Sequence, residues 1–351
     1  MLTPAAIQTH LDSLTKPPGS LGRLEALAAR LCRIQGTLTP SASPRRLVLF
    51  AGDHGVVAEG VTAWPSEVTG LMVANIHSGG AASSVLARSS GTALELVDAG
   101  TLAPAQAGDG ANGQTYLHAP IRGGSRNLAA EPALTPDEWQ AAWTLGQQRA
   151  RAAAKAGARV VAAGEMGIGN TTPASCLAAL LTDLTPEQAV GRGAGADDAT
   201  LERKRRVVAA AVAAASEHLD GDPVAAMASV AGYEIVAMAG FFQSAAERGL
   251  TVVLDGFITT AAALIAERLA AGTADAMIAA HLSQEPAHGA MLEALGLKPM
   301  LDWDLRLGEG TGALLLMPLL DAAAAMVGEM ATFESTGIER DDSGDDSSEA
   351  G

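Results

Sequence analysis

The chain has 351 residues, with 23 Lys+Arg against 39 Asp+Glu, a formal net charge of −16. An acidic balance of that size opposes non-specific binding to nucleic acid or to anionic membranes. Two cysteines, Cys32 and Cys176, are too few for a disulfide scaffold or a Cys-based zinc cluster and fit a reducing, cytoplasmic compartment.

In chain order, the N-terminus MLTPAAIQTHLDSL has no basic stretch followed by an apolar core, so no secretion signal is expected. Helices are expected near 4–13 and 20–36. Residues 47–51 (LVLFA) form a short apolar run that ends at a glycine, the pattern of a buried strand. Helical patterns follow near 66–76 and 79–89, then a strand near 93–98 and a Gly-rich, irregular stretch over 100–134. Thr135-Pro136-Asp137-Glu138 is a capping box with proline at the first helical position, opening a helix to about 156. A strand over 159–163 precedes helices near 171–182, 197–219, 223–230 and 232–248. A strand over 250–254, a helix over 257–271, a strand over 274–280, and helices over 286–295 and 311–330 complete the chain. No apolar run reaches 18 residues, since 312–327 is cut by Pro318 and Asp321, and no membrane span is expected.

Apolar strands alternating with helices predict an α/β fold with a mostly parallel sheet flanked by helices. The helices at the two chain ends are expected to pair into a small helical domain, residues 1–36 with 311–333. A large α/β domain is expected over 45–310. Residues 339–351 hold six acidic residues and one arginine, and 334–351 reads as a disordered acidic tail.

In parallel sheets ligands sit beyond the carboxyl ends of the strands. Three of the expected strands, 47–51, 159–163 and 250–254, are followed by glycine beside a polar residue: Gly52-Asp53-His54-Gly55, Gly164-Glu165-Met166-Gly167-Ile168-Gly169-Asn170-Thr171-Thr172, and Asp255-Gly256. The second of these is a strand, a glycine loop and a helix start, where free N–H groups favour an anion such as phosphate. A tight turn with a helix cap explains the same residues equally well. The glycine spacing is neither a Walker loop nor a dinucleotide fingerprint, which disfavours a dehydrogenase. Lys204 falls within about 30° of the centre of the apolar stripe Leu201, Val208, Ala211, Val212 and Ala215. A buried lysine needs an anion, unless its stem snorkels and its head reaches water. Gly191-Arg192-Gly193-Ala194-Gly195 is a second glycine loop at a helix start, and with Lys204 it suggests a phosphate monoester site. Glu309, within Gly308-Glu309-Gly310-Thr311-Gly312, is either an acid serving the helix dipole or, in a dry cleft, a general base. The seven histidines show no zinc spacing.

These segments carry a resemblance. Residues 16–25 (KPPGSLGRLE), 51–70 (AGDHGVVAEGVTAWPSEVTG), 164–175 (GEMGIGNTTPAS), 254–264 (LDGFITTAAAL) and 283–314 (SQEPAHGAMLEALGLKPMLDWDLRLGEGTGAL) follow one another in order. Together they resemble the nicotinate-nucleotide–dimethylbenzimidazole phosphoribosyltransferases. The resemblance implies a Rossmann-like large domain, a small domain made from both chain ends, and a homodimer. It implies transfer of 5-phosphoribose from nicotinate mononucleotide to 5,6-dimethylbenzimidazole in cobalamin biosynthesis, without metal or other cofactor. The family's proton acceptor lands on Glu309. Phosphate is then expected on Gly167, Gly169, Asn170 and Thr171, with Lys204 as counter-charge, and a ribose hydroxyl on Glu165. The segment from Thr62 to Gly70 is expected to form one wall of the base pocket. Family members often carry glutamine shortly after the EVT triplet; here Leu71 stands there, so no polar contact is expected from it. A non-catalytic nucleotide-binding protein and a transferase using other bases are the alternative readings.

Overall fold

The computed structural model describes residues 2–104, 110–193 and 195–338. Residues 339–351 of the expected acidic tail, and Ala194 of the second glycine loop, lie outside the described residues. Six strands form one sheet: β1 (Arg45–Gly52), β2 (Ala93–Gly100), β3 (Thr115–His118), β4 (Val160–Met166), β5 (Thr251–Leu254) and β6 (Met277–Ala279). Their order is β3-β2-β1-β4-β5-β6 and every pairing is parallel. The inner strands are near-continuous apolar runs because helices cover both faces of the sheet. β1 and β4 run in register from Arg45↔Val160 to Ala51↔Met166. The strand order reverses between these two, so a crevice opens beyond their carboxyl ends.

The helices fall within a few residues of the expected ones. β3 departs from expectation, since its stretch reads as irregular in sequence. Its four residues are too short and too polar to announce themselves, and pairing with β2 from Glu95↔Thr115 to Asp98↔His118 makes them a strand. β6 is shorter than 274–280 because Thr273–Ala276 closes a 3-10 turn first. The Ala-rich, ring-poor core depends on close helix contact. A Cβ added at Gly146 would stand 1.8 Å from the Ala237 carbonyl oxygen, and one at Gly240 would stand 2.3 Å from that of Trp143. The helices Pro136–Lys155 and Tyr233–Glu247 therefore meet backbone to backbone.

The chain divides into two compact units. One comprises residues through Ala42 and from Pro318 onward; the other, Ser43–Met317, holds the whole sheet. In the first, the KPPGSLGRLE stretch folds around a buried ion pair, Lys16 Nζ to Glu25 Oε1 at 2.9 Å. Glu25 also accepts the amides of Leu21 and Gly19; burial raises its carboxyl, but Lys16 first, and these amides with it, hold it below the usual range. Leu14 bridges Thr332, which caps the single helical turn Phe333–Thr336. Among the described residues one helix, Thr311–Glu329, is long and apolar enough to cross a membrane by length and composition. Its Ala313, Leu314, Leu316, Met317, Leu320 and Ala323 are buried in the fold.

Candidate active site

Beyond the carboxyl ends of the central strands lies a cavity of about 490 Å³. Trp64, Val68, Met72 and Ile168 give it an apolar wall, and Glu165, Asp255, Glu285 and Glu309 place four carboxyl groups around it.

Glu309 reaches this cavity by an unusual backbone. Gly308, Glu309 and Gly310 have φ of 85°, 59° and 76°, three successive left-handed residues. For Glu309 that conformation costs roughly 1–2 kcal/mol. Close packing holds it. A Cβ on Gly164 would lie 2.7 Å from the Glu309 carbonyl carbon, and one on Gly310 would lie 2.6 Å from Leu47 Cδ1. The Glu309 side chain is 4 % exposed. Ser83 fixes one of its oxygens, donating its hydroxyl to Oε2 at 2.9 Å and its amide at 3.4 Å. The helix that begins at Thr311 does not use Glu309 as its acid. Asp255 accepts the amides of Gly310, Gly312 and Ala313 at 3.1, 2.7 and 3.2 Å. Glu309 is therefore not consumed by helix capping, and one of its two oxygens is not engaged by Ser83.

Glu165, at the end of β4, lines the same cavity. Burial pushes its carboxyl up to about 8, and the charges of Asp255, Glu234 and Glu309 add to the shift. The Asn170 amide donates to it and opposes the shift in part. At neutral pH Glu165 thus holds a proton and can donate a hydrogen bond.

The glycine loop after β4 serves packing as well as access. Gly167 lines the cavity, yet a Cβ there would collide with the Gly52 carbonyl oxygen at 2.2 Å, so the residue is small to let β1 and β4 converge. Asn170 and Thr171 also line the cavity. Gly169 does not; its φ of 89° turns the chain into the helix Thr171–Leu181. Lys204 is 1 % exposed, so its head is not in water. It stands behind the wall, donating to Thr171 Oγ1 at 2.8 Å and to the Gly191 carbonyl at 3.2 Å. Burial draws its pKa down to about 8, against the pull of Glu285. Lys204 itself does not line the cavity, and its bonded partner Thr171 does.

Thr62 does not line the cavity. Its hydroxyl accepts the Trp64 amide at 3.3 Å, and the wall expected from its segment is supplied by Trp64 and Val68. Leu71 is 69 % exposed and Met72 takes the lining position. Ser83 was not legible in sequence, since it lies 226 residues from Glu309 and sits in an ordinary Ser-Ser helix start. His281, whose Nε2 is 3.7 Å from Asp255 Oδ1, also joins the wall. Among the described residues no group of three His, Cys, Asp or Glu is placed to hold a metal ion.

Comparison with known proteins gives a consistent set of relatives. A family model described as a phosphoribosyltransferase, DBI_PRT, matches residues 3–338. The nicotinate-nucleotide–dimethylbenzimidazole phosphoribosyltransferase of Thermus thermophilus is 47% identical over 336 residues, 96% of this chain and 98% of that one. The protein of the same name from Ralstonia nicotianae is 49% identical over 335 residues, 95% of this chain and 93% of that one. The crystal structure of CobT from Thermus thermophilus matches with a TM-score of 0.90 at 47% identity, over 96% of this chain and 99% of that chain.

Proposed function

The chain belongs to the DBI_PRT phosphoribosyltransferase family, and from that premise we infer that it moves 5-phosphoribose from nicotinate mononucleotide to 5,6-dimethylbenzimidazole. The products are nicotinate and α-ribazole 5′-phosphate, in the nucleotide-loop branch of cobalamin biosynthesis. The observation that carries the assignment of roles is the buried Glu309 carboxylate, fixed by Ser83 and left out of helix capping.

The chemistry asks little of the protein besides orientation and one base. Nicotinate leaves a cationic N-glycoside as a neutral ring nitrogen, so no acid is required at the leaving group. The benzimidazole nitrogen attacks C1′ from the opposite face, inverting β to α, and the ring's other nitrogen gives up its proton. Glu309 takes that proton. Water exclusion strengthens the attraction between this carboxylate and the charge that develops on the azole. The phosphate lies against Gly167, Asn170 and Thr171, with Lys204 polarising the Thr171 hydroxyl from behind. Gly169 sets the loop's shape. The protonated Glu165 and its partner Asn170 meet the ribose hydroxyls. Trp64, Val68 and Met72 hold the flat base by shape.

That apolar wall favours a second reading, in which other aromatic bases are also accepted. The buried thiols Cys32 and Cys176 support a cytoplasmic setting. A homodimer accords with the family resemblance and with the large apolar side chains left exposed at Leu71 and Leu102, whose neighbours Gly70 and Ala103 pack together. Nicotinate released from nicotinate mononucleotide, followed with and without 5,6-dimethylbenzimidazole, tests the function. Release should depend on the base, and no release in its presence overturns the assignment.

A further inference from the structure

Behind the cavity floor lies a buried ion pair that the transfer reaction, as described, does not use. His54 Nε2 is 2.8 Å from Glu234 Oε1, and both side chains are closed to solvent. His54 follows β1, and Glu234 stands in the first turn of the helix Tyr233–Glu247. Nδ1 of His54 and Oε2 of Glu234 have no hydrogen-bond partner among the described residues, so each group's partner is the other. With the imidazole protonated, the contact sets opposite charges against each other in a medium of low dielectric. As a stabiliser such a pair is poor, since desolvation cancels much of the gain.

Its surroundings point to another role. A Cβ on Gly52 would stand 2.9 Å from Glu234 Oε2, one on Gly232 2.3 Å from His54 Cε1, and one on Gly167 3.2 Å from His54 Nε2. Three glycines thus make room for the pair, and one of them is the first residue of the turn that lines the cavity. On its other side the same turn is tied down by the Ile168 amide, which donates to Thr69 Oγ1 at 3.0 Å. Thr69 in turn faces Asp53, the neighbour of His54. The turn's back rests on the pair while its front faces the cavity.

We propose that His54 and Glu234 are positioning residues, whose mutual charge holds the Gly167–Thr171 turn in the place that receives the phosphoribosyl group. The proposal rests on the reading of the cavity as the nucleotide site. Loss of the His54 proton leaves Glu234 uncompensated and loosens the turn. The titratable groups facing the pair are Asp53 beside His54 and Glu165 on β4, which feels Glu234 directly. Burial opposes the His54 charge, but Glu234 and then Asp53 outweigh it and hold its pKa above the ordinary value.

Glu234→Gln keeps the volume and removes the charge. The expected result is a KM for nicotinate mononucleotide raised about tenfold with kcat within about twofold, and an alkaline limb of kcat/KM displaced to lower pH. Glu234→Asp, which restores the charge, should return the limb toward wild type. A folded Glu234→Gln enzyme with wild-type KM and pH profile overturns the proposal. A measurement on the unaltered protein does not depend on the variant folding. Carbon-13 histidine NMR should show the His54 pKa rising when nicotinate mononucleotide binds, because linkage is reciprocal. An unchanged His54 pKa on saturation overturns the proposal. Base-dependent nicotinate release by wild type, run in the same series, reports separately on the cavity's function.

Discussion

Replacing Glu309 with glutamine separates catalysis from architecture. Glutamine has the same stem, so the left-handed backbone at φ 59° carries no new clash. Its carbonyl oxygen can still accept the Ser83 hydroxyl now donated at 2.9 Å, and Asp255 continues to hold the helix amides. Stability should therefore change by no more than about 1 kcal/mol. What is lost is the proton acceptor. General-base catalysis contributes typically about 10²–10⁴-fold, which at roughly 1.36 kcal/mol per decade raises the barrier by about 3–5 kcal/mol. Base-dependent nicotinate release should fall by that factor, while calorimetric binding of nicotinate mononucleotide stays within about threefold of wild type. Turnover within tenfold of wild type would refute the argument that Glu309 takes the azole proton. Loss of binding together with turnover would instead make it a binding residue.

Lys204→Met should weaken nicotinate mononucleotide binding about 10- to 100-fold, the worth of one charged hydrogen bond; an unaltered dissociation constant would show that the buried cation does not reach the phosphate through Thr171. Ser83→Ala should lower kcat about tenfold with nucleotide affinity unchanged, and wild-type kcat would show that Ser83 does not orient Glu309. Glu165 has a folded pKa raised from 4.5 to about 8, so the fold binds its proton more tightly than the unfolded chain does, and stability falls as pH rises between those values. Glu165→Gln should then match wild type in unfolding free energy near pH 4.5 and exceed it increasingly toward pH 8, by on the order of 5 kcal/mol at most; a constant difference in denaturant unfolding across that range would refute the shift.

Most of the sheet was legible because its inner strands carry their own signal. The runs LVLFA, RVVAA and LTVVL are apolar, short and bounded by glycine or a charge, and burial on both faces leaves no other reading. β3 was not, because TYLH gains its strand geometry from β2 rather than from its own composition. The inward face of Lys204 followed from helical periodicity, and it is buried as that periodicity required. Its partner Thr171 did not follow, since no periodicity relates residues 33 apart on different helices. The same limit hid Ser83 from Glu309 and Glu234 from His54. Glycines were legible as flexible points but not by purpose: Gly167 is small because the Gly52 carbonyl crowds it.

Because Asp255 bears the duty of capping the Thr311 helix, exchanging the Glu309 carboxylate for its amide removes the base while leaving that helix start intact. A lineage could lose its chemistry there through one base change and still yield abundant, well-folded protein. Expression, solubility and thermal robustness are thus no guide to whether a descendant still makes its product, and residue 309 must be read directly.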